Sequence, residues 1–79
     1  MNKDVFNRIK KIVKENTNID LKEEQANAKF EEVGIDSMQG MSLILEIESQ
    51  FNVTIPEDKL TGIKNFADII ALIESLTAK

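Results

Sequence analysis

The chain passes from loop to helix in the stretch Glu31-Glu32-Val33-Gly34-Ile35-Asp36-Ser37-Met38-Gln39. Asp and Ser are both preferred helix caps, so Asp36-Ser37 predicts a helix start. The entrance of that helix would put the Ser37 hydroxyl beside unsatisfied backbone N–H groups and the positive end of the helix dipole. This position tolerates a phosphate ester well. Ser37 is therefore either a simple cap or a point of covalent attachment.

On both sides of this stretch, apolar residues recur at three- and four-residue steps, which is the spacing of helices with one buried face. The predicted helices are Asn2 to about Glu15, Ser37 to Phe51, Pro56 to Leu60, and about Asn65 to Leu76. Asn2 and Asn65 suit caps, and Pro56 suits a first helical position. The expected buried face of the last helix consists of Phe66, Ile69, Ile70, Leu72, Ile73 and Leu76.

A long connection is expected from Asn16 to Asp36, with one possible helical turn over Leu21 to Gln25. Its few apolar residues should dock it onto the helices: Ile19, Leu21, Ala26, Ala28 and Phe30. No stretch alternates as a strand would. The predicted class is all-α, a small four-helix bundle of three longer helices and one short helix with a long first loop, in one domain over residues 1–79.

The composition excludes several functions. The chain has no Cys and no His, so a disulfide, a thiolate zinc site and the usual general base are all missing, and neither an enzyme nor a metal site is expected. No apolar run approaches the roughly 20 residues that span a membrane. With no signal-peptide pattern either, we expect a cytoplasmic monomer without membrane insertion. Residues 30–79 hold three basic and nine acidic side chains, which disfavours nucleic acid.

The helix from Ser37 carries two groups of apolar side chains. Leu43, Ile44, Ile47 and Phe51 form an arc suited to burial, and Met38, Met41 and Leu45 form a second arc, with Glu48 between them. A second, partly exposed stripe suggests a docking surface, for which flexible Met side chains are well suited. The alternative is that the long loop covers Met38, Met41 and Leu45. Close approach of the loop or of another helix would explain Gly40, which costs roughly 1 kcal/mol relative to Ala inside a helix.

Several segments resemble acyl carrier proteins. The run Phe30 to Met38 resembles the family's attachment-site motif, and Asn27 to Phe30 resembles its loop anchor. Arg8 to Val13 resembles the first helix of the family, and Ile63 to Ile73 resembles the run into its last helix. Glu48 through Phe51 resembles the end of the second helix, and Ile55 to Asp58 resembles the start of the short third helix. The resemblance implies that Ser37 carries 4′-phosphopantetheine through a phosphodiester, with acyl groups held as thioesters on the terminal thiol. Asp36 would help a phosphopantetheinyl transferase to recognise the site and to bind its metal.

The resemblance also implies surfaces. The residues expected to face partner enzymes, together with Leu45 from the helix pattern, are Met38, Met41, Glu48, Glu57 and Asp58. The residues expected to line a core that can admit an acyl chain are Leu43, Ile47, Phe51, Ile55, Leu60, Ile63 and Ile69. The expected partners are the transferase and the enzymes that load and transfer acyl or aminoacyl groups.

The site departs from carriers of primary fatty-acid synthesis. Those usually have Leu and two acidic residues where this chain has Met38, Gln39 and Ser42, and an acidic residue is common at Ser49. The segment between Phe30 and Gly34, which leads to the serine, is also one residue shorter than in those carriers. A specialised carrier in a fatty-acid-like, polyketide or other dedicated lipid or secondary pathway is therefore favoured over a general fatty-acid carrier. An aminoacyl carrier (D-alanyl-type or peptidyl) and an unmodified helical interaction protein are the alternatives.

Overall fold

Four helices make up most of the computed structural model, which describes residues 2–77. They are α1 (Lys3–Thr17), α2 (Ser37–Phe51), α3 (Glu57–Leu60) and α4 (Phe66–Thr77), and two 3₁₀ turns, Glu23–Gln25 and Phe30–Val33, lie between α1 and α2. Residues 2–77 contain no strand. The prediction of an all-α chain with three longer helices and a short one is confirmed.

The end of α1 lies further along the chain than predicted. The helix continues past Glu15 to Thr17, and the side chains of Asn16 and Thr17 donate hydrogen bonds to the carbonyls of Ile12 and Val13, at 2.8 and 2.7 Å. It ends at Asn18, which adopts a left-handed conformation with φ 62°. Asn52 ends α2 in the same way, with φ 55°. The helix predicted to end at about Glu15 therefore extends two residues further, to Thr17.

Asn2 and Asn65 cap α1 and α4 as predicted, and Pro56 differs from the prediction by one position. Asn2 Oδ1 accepts hydrogen bonds from the first turn of α1. Asn65 Oδ1 accepts one from the Asp68 N–H at 2.9 Å, so Asn65 caps α4. Pro56 lies one position earlier than expected, since it is the N-cap of α3 and Glu57 is the first helical residue.

The long connection is docked onto the helices by its own apolar side chains. Leu21 and Ala26 are fully buried, and Phe30 packs edge-on against Phe66 with ring centroids 4.9 Å apart. The Ala67 N–H at the start of α4 donates to the Ala26 carbonyl at 2.9 Å, which joins the loop to that helix. The predicted docking role of the loop is confirmed. The possible turn over Leu21 to Gln25 is present as the 3₁₀ turn Glu23–Gln25, and the second 3₁₀ turn, Phe30–Val33, was not predicted.

Most of the expected core is buried, with exceptions at element ends. Leu76 was expected on the buried face of α4, yet it is 39% exposed. Leu76 lies two residues beyond Glu74, whose Oε1 accepts a hydrogen bond from the Asn2 N–H just before α1 at 2.6 Å. The buried apolar residues are Val5, Phe6, Ile9, Ile12, Val13, Leu21, Ala26, Ile35, Leu43, Ile44, Ile47, Ile55, Phe66, Ile69, Ile70 and Ile73.

An arginine of α1 covers the end of α2. The Arg8 guanidinium carbon lies 3.9 Å from the centroid of the Phe51 ring, and Arg8 Nη2 donates to the Gln50 carbonyl at 2.8 Å. Phe51 is half-buried: it packs against the core and has the Arg8 cation over its ring.

Candidate functional site

Asp36 takes the capping role at the start of α2 and leaves the hydroxyl of its neighbour free. Asp36 Oδ1 accepts a hydrogen bond from the Gln39 N–H at 2.8 Å, and Gln39 Oε1 accepts one from the Asp36 N–H at 3.2 Å. Ser37 is the first helical residue and is exposed. Its hydroxyl forms no hydrogen bond within the described part of the chain. The capping interpretation therefore holds for Asp36 and does not account for Ser37.

The position of Ser37 is set by the turn just before it. The second 3₁₀ turn ends at Gly34, whose φ of 88° is a backbone conformation that residues with a Cβ rarely adopt. The reversal lets the Ile35 N–H donate to the Phe30 carbonyl at 2.9 Å and puts the Ile35 side chain into the core. The buried Ile35 side chain thus lies two residues before the exposed Ser37 hydroxyl and attaches this part of the backbone to the core.

An open groove of about 630 Å³ lies beside Ser37. We call it the Ser37 groove. Its walls come from the second half of the loop, from one face of α2 and from the end of α3 with the residues that follow it. Most of its lining surface is apolar. The lining residues are Lys29, Phe30, Glu31, Ile35, Asp36, Ser37, Gly40, Met41, Ile44, Leu60, Ile63 and Lys64.

Gly40 forms part of this groove, although close packing does not require it. A Cβ at this position would lie 4.0 Å from both Ile35 Cγ2 and Phe30 Cδ2, which is ordinary van der Waals contact. The expectation that a close approach explains this glycine is therefore wrong. The absence of a side chain at Gly40 leaves space in the groove wall.

The second apolar stripe of α2 lies in solvent. Met38 is 83%, Met41 49% and Leu45 62% exposed, so the long loop does not cover them. We call these three side chains the α2 apolar patch. Glu57 and Asp58 are also exposed, in the first turn of α3.

Glu48 is placed differently from the other residues assigned to partner contacts. It is half-buried, and its Oε2 accepts a hydrogen bond from the Ile55 N–H at 2.8 Å. The carboxylate therefore fixes the segment between α2 and α3. Sequence reasoning missed this role, because a contact between residues seven apart across a turn leaves no periodic signal.

The residues expected to line a space for an acyl chain differ in part from those that line the Ser37 groove. Of the residues expected to admit an acyl chain, Leu60 and Ile63 line the groove, whereas Leu43, Ile47, Ile55 and Ile69 are buried in the core and do not. Lys29, Ile35, Ile44 and Lys64 also line the groove, although the sequence analysis did not assign them to it. Their convergence is tertiary, and no local pattern could have found it.

Comparison with known proteins places the chain in a family. The family model described as "Phosphopantetheine attachment site" matches residues 7–73. An acyl carrier protein homolog of Ureaplasma parvum is 43% identical over 68 residues, covering 86% of this chain and 87% of that protein. One of Mycoplasma genitalium is 32% identical over 77 residues, covering 96% of this chain and 92% of its own length.

A non-reducing polyketide synthase of Talaromyces marneffei is 35% identical over 72 residues, and the chain spans only 3% of the length of that synthase. This chain belongs to the proteins that bear a phosphopantetheine attachment site. Within them it is a member of the acyl carrier protein family, whose prosthetic group is covalently attached 4′-phosphopantetheine.

The residues around Ser37 suit that group. The free hydroxyl is exposed at the N-terminus of a fifteen-residue helix, where backbone N–H groups favour a phosphate, and an apolar groove opens beside it. Within residues 2–77, no helix is both long enough and apolar enough to cross a membrane.

Proposed function

We propose that Ser37 is the attachment point of 4′-phosphopantetheine, and that the chain holds acyl groups on this arm and presents them to partner enzymes. The observation that carries the proposal is the exposed Ser37 hydroxyl, which forms no hydrogen bond within residues 2–77 and lies at the start of α2 and at the edge of an apolar groove. Once bound, the group supplies a thiol that forms thioesters. The chain supplies position and surface and has no catalytic site of its own.

Attachment transfers one group from coenzyme A. The Ser37 oxygen forms a new bond to phosphorus, the pyrophosphate bond of coenzyme A breaks, and 3′,5′-ADP leaves with the electron pair. The Ser37 proton would pass to a base of the transferase. The negative phosphodiester would then be stabilised by the dipole of α2. The exposed Asp36 carboxylate is available for recognition by the transferase and its metal.

The chemistry of the Ser37 groove supports an acyl cargo over an aminoacyl cargo. Phe30, Ile35, Ile44, Leu60 and Ile63 line it, and an aliphatic chain lying there would be removed from water. The α-ammonium of an aminoacyl group would lose hydration against these apolar side chains, and only Glu31 and Asp36 among the lining residues carry a carboxylate that could pair with it. The cargo would therefore belong to a fatty-acid-like, polyketide or other dedicated lipid pathway.

Loading tests the attachment site directly. Incubation with coenzyme A, Mg²⁺ and a broad-specificity phosphopantetheinyl transferase should raise the intact mass by one phosphopantetheine. Ser37→Ala should abolish the increase, and Ser42→Ala, at another exposed serine of α2, should retain it. An unchanged mass in the wild-type chain would support an unmodified interaction protein instead, and modification that survives in Ser37→Ala would move the site elsewhere.

A second measurement tests the cargo. The arm is loaded with a saturated acyl group or with D-alanine, and methyl resonances of Ile35, Ile44 and Ile63 are compared with those of the unloaded holo-protein. The acyl group should shift these methyls, and D-alanine should leave them unchanged. Equal shifts, or shifts with D-alanine alone, would favour an aminoacyl carrier. Methyls of the buried core residue Ile9 serve as the internal control.

A further inference from the structure

Gly40 weakens α2 without relieving a clash within the described chain. Apart from proline, glycine is the least favourable residue in the interior of a helix. The only glycine among residues 2–77 with a positive φ is Gly34, so the backbone conformation at Gly40 does not require a glycine. A Cβ at Gly40 would make ordinary van der Waals contacts, as described above. The packing of residues 2–77 therefore gives no reason for a glycine at this position.

Gly40 and Ser37 are neighbours on one side of α2. Residues three apart on a helix surface have their Cβ positions about 5–6 Å from each other. Ser37 and Gly40 have this spacing, and both line the Ser37 groove. A group that is bonded to the Ser37 oxygen and turns into the groove therefore starts beside Gly40.

The surroundings of Gly40 are apolar. Outside the backbone of α2, the atoms nearest to the position of a Cβ are Ile35 Cγ2 and Phe30 Cδ2, each at 4.0 Å. A bound water molecule needs about two to four polar partners, and these carbons supply none. The space beside Gly40 therefore suits an apolar group better than water or a polar group.

The 4′-phosphopantetheine arm has one apolar part close to its phosphate. The carbon that follows the CH₂–O–P link bears a pair of methyl groups, and a hydroxyl group and amide groups come after it on the way to the thiol. The hydroxyl and amide groups need hydrogen-bond partners when they leave water, whereas methyl groups gain from leaving it. The dimethyl group is thus the part of the arm that matches the carbons around Gly40.

We propose that Gly40 receives the dimethyl group of the arm, so that the arm lies in the Ser37 groove before any acyl group is loaded. The proposal rests on Ser37 being the attachment point. Without a Cβ at Gly40, the methyl groups can approach the backbone of α2 and contact Ile35 and Phe30 together. A side chain at this position would occupy that space and leave the start of the arm in solvent.

The contact can be observed directly on the chain loaded with an arm whose methyl groups carry ¹³C. Loading uses labelled coenzyme A and the transferase, and the intact mass verifies it for each variant. Before acylation, we expect nuclear Overhauser effects from the arm methyls to the side chains of Ile35 and Phe30. These should weaken severalfold in Gly40→Ala and disappear in Gly40→Leu. Ser42→Ala, at an exposed position of α2 that does not line the groove, should retain them.

Thermal unfolding before and after loading gives a second readout. A group that binds the folded chain and not the unfolded chain raises the Tm. The phosphate adds the same charge to every variant, so differences between variants report the methyl contact. The rise in Tm on loading should be smaller in Gly40→Ala than in the wild type by about 3–6 °C, the effect of one buried methyl in a domain of this size. Ser42→Ala should show the wild-type rise.

Several outcomes would overturn the proposal. Wild-type arm methyls without contacts to Ile35 and Phe30 would refute the role of Gly40 and leave Ser37 as the attachment point. Equal contacts, or equal rises in Tm, in the wild type and in Gly40→Ala would do the same. Contacts that form only after acylation would assign the space to the cargo and overturn the proposal as well.

The two proposals at this site fail in different ways. Failure to load Ser37 would refute the proposed function, and the role of Gly40 with it. If Gly40→Leu does not fold, Gly40→Ala decides the outcome alone, because alanine is the residue that helices favour most.

Discussion

Asp36 and Gln39 exchange two hydrogen bonds across the first turn of α2, each side chain accepting from the other's backbone N–H. This reciprocal arrangement satisfies two backbone donors near the start of the helix and orients the peptide that carries Ser37. The Asp36 carboxylate therefore has a structural role that is separable from any role in recognition by the transferase.

Two substitutions of Asp36 should separate these roles. Asp36→Ala removes the cap and should lower the free energy of unfolding by about 1 kcal/mol, whereas Asp36→Asn keeps an acceptor and should change it by only a few tenths of a kcal/mol, about the difference between good caps. Both should be loaded more slowly by the transferase, because both lack the carboxylate. Urea unfolding and the kcat/KM for loading measure the two effects. Wild-type loading of Asp36→Asn would show that the charge is not recognised.

The hydrogen bond of Glu48 predicts a stability effect away from the attachment point. Glu48→Ala leaves the half-buried Ile55 N–H without its acceptor and should lower the free energy of unfolding by about 1–3 kcal/mol. Glu48→Gln retains an oxygen acceptor and should lose less. Hydrogen exchange at the Ile55 amide should accelerate in Glu48→Ala. The control is Glu46→Ala, where only a side-chain contact with Gln50 is lost; equal effects of the two alanine variants would contradict the structural role of Glu48.

The two glycines near the site should respond in opposite directions. Gly40→Ala should raise the free energy of unfolding by up to about 1 kcal/mol, because helix propensity improves and the new methyl meets only ordinary contacts. Gly34→Ala should lower it by roughly 1–2 kcal/mol, because its φ of 88° is left-handed. Thermal unfolding measures both. Destabilisation by Gly40→Ala would mean that the groove wall is tighter than the structure indicates.

Arg8 should contribute more to stability than other exposed cations of α1. Arg8→Ala removes both the stacking on Phe51 and the bond to the Gln50 carbonyl, and should lower the free energy of unfolding by about 1–2 kcal/mol. Arg8→Lys keeps a cation without the planar fork and should lose part of this. Lys11→Ala, at an exposed position of the same helix, should stay within about 0.5 kcal/mol. Urea unfolding of the three variants gives the comparison.

Local patterns predicted the helices and the cap at Asp36, because helical periodicity and cap chemistry act within a few residues. The exposure of Met38, Met41 and Leu45 also followed from their positions on α2 relative to Leu43 and Ile47. The groove could not be predicted, because Lys29, Ile44 and Lys64 meet only once the loop and α3 have packed. The bond from Glu48 to Ile55 likewise depends on the turn that brings them together.

The two asparagines that end α1 and α2 affect the chain before it folds. Asn18 and Asn52 adopt the left-handed conformation that helix ends often leave to glycine. Glycine samples more backbone conformations than any other residue, so its use here would enlarge the unfolded ensemble. Each asparagine thus reduces the entropy lost on folding, and this gain offsets part of the steric cost that its Cβ adds in the left-handed conformation. A disulfide stabilises small proteins mainly by restricting the unfolded chain. In this chain of 79 residues without cysteine, the two asparagines restrict the unfolded chain in the same sense.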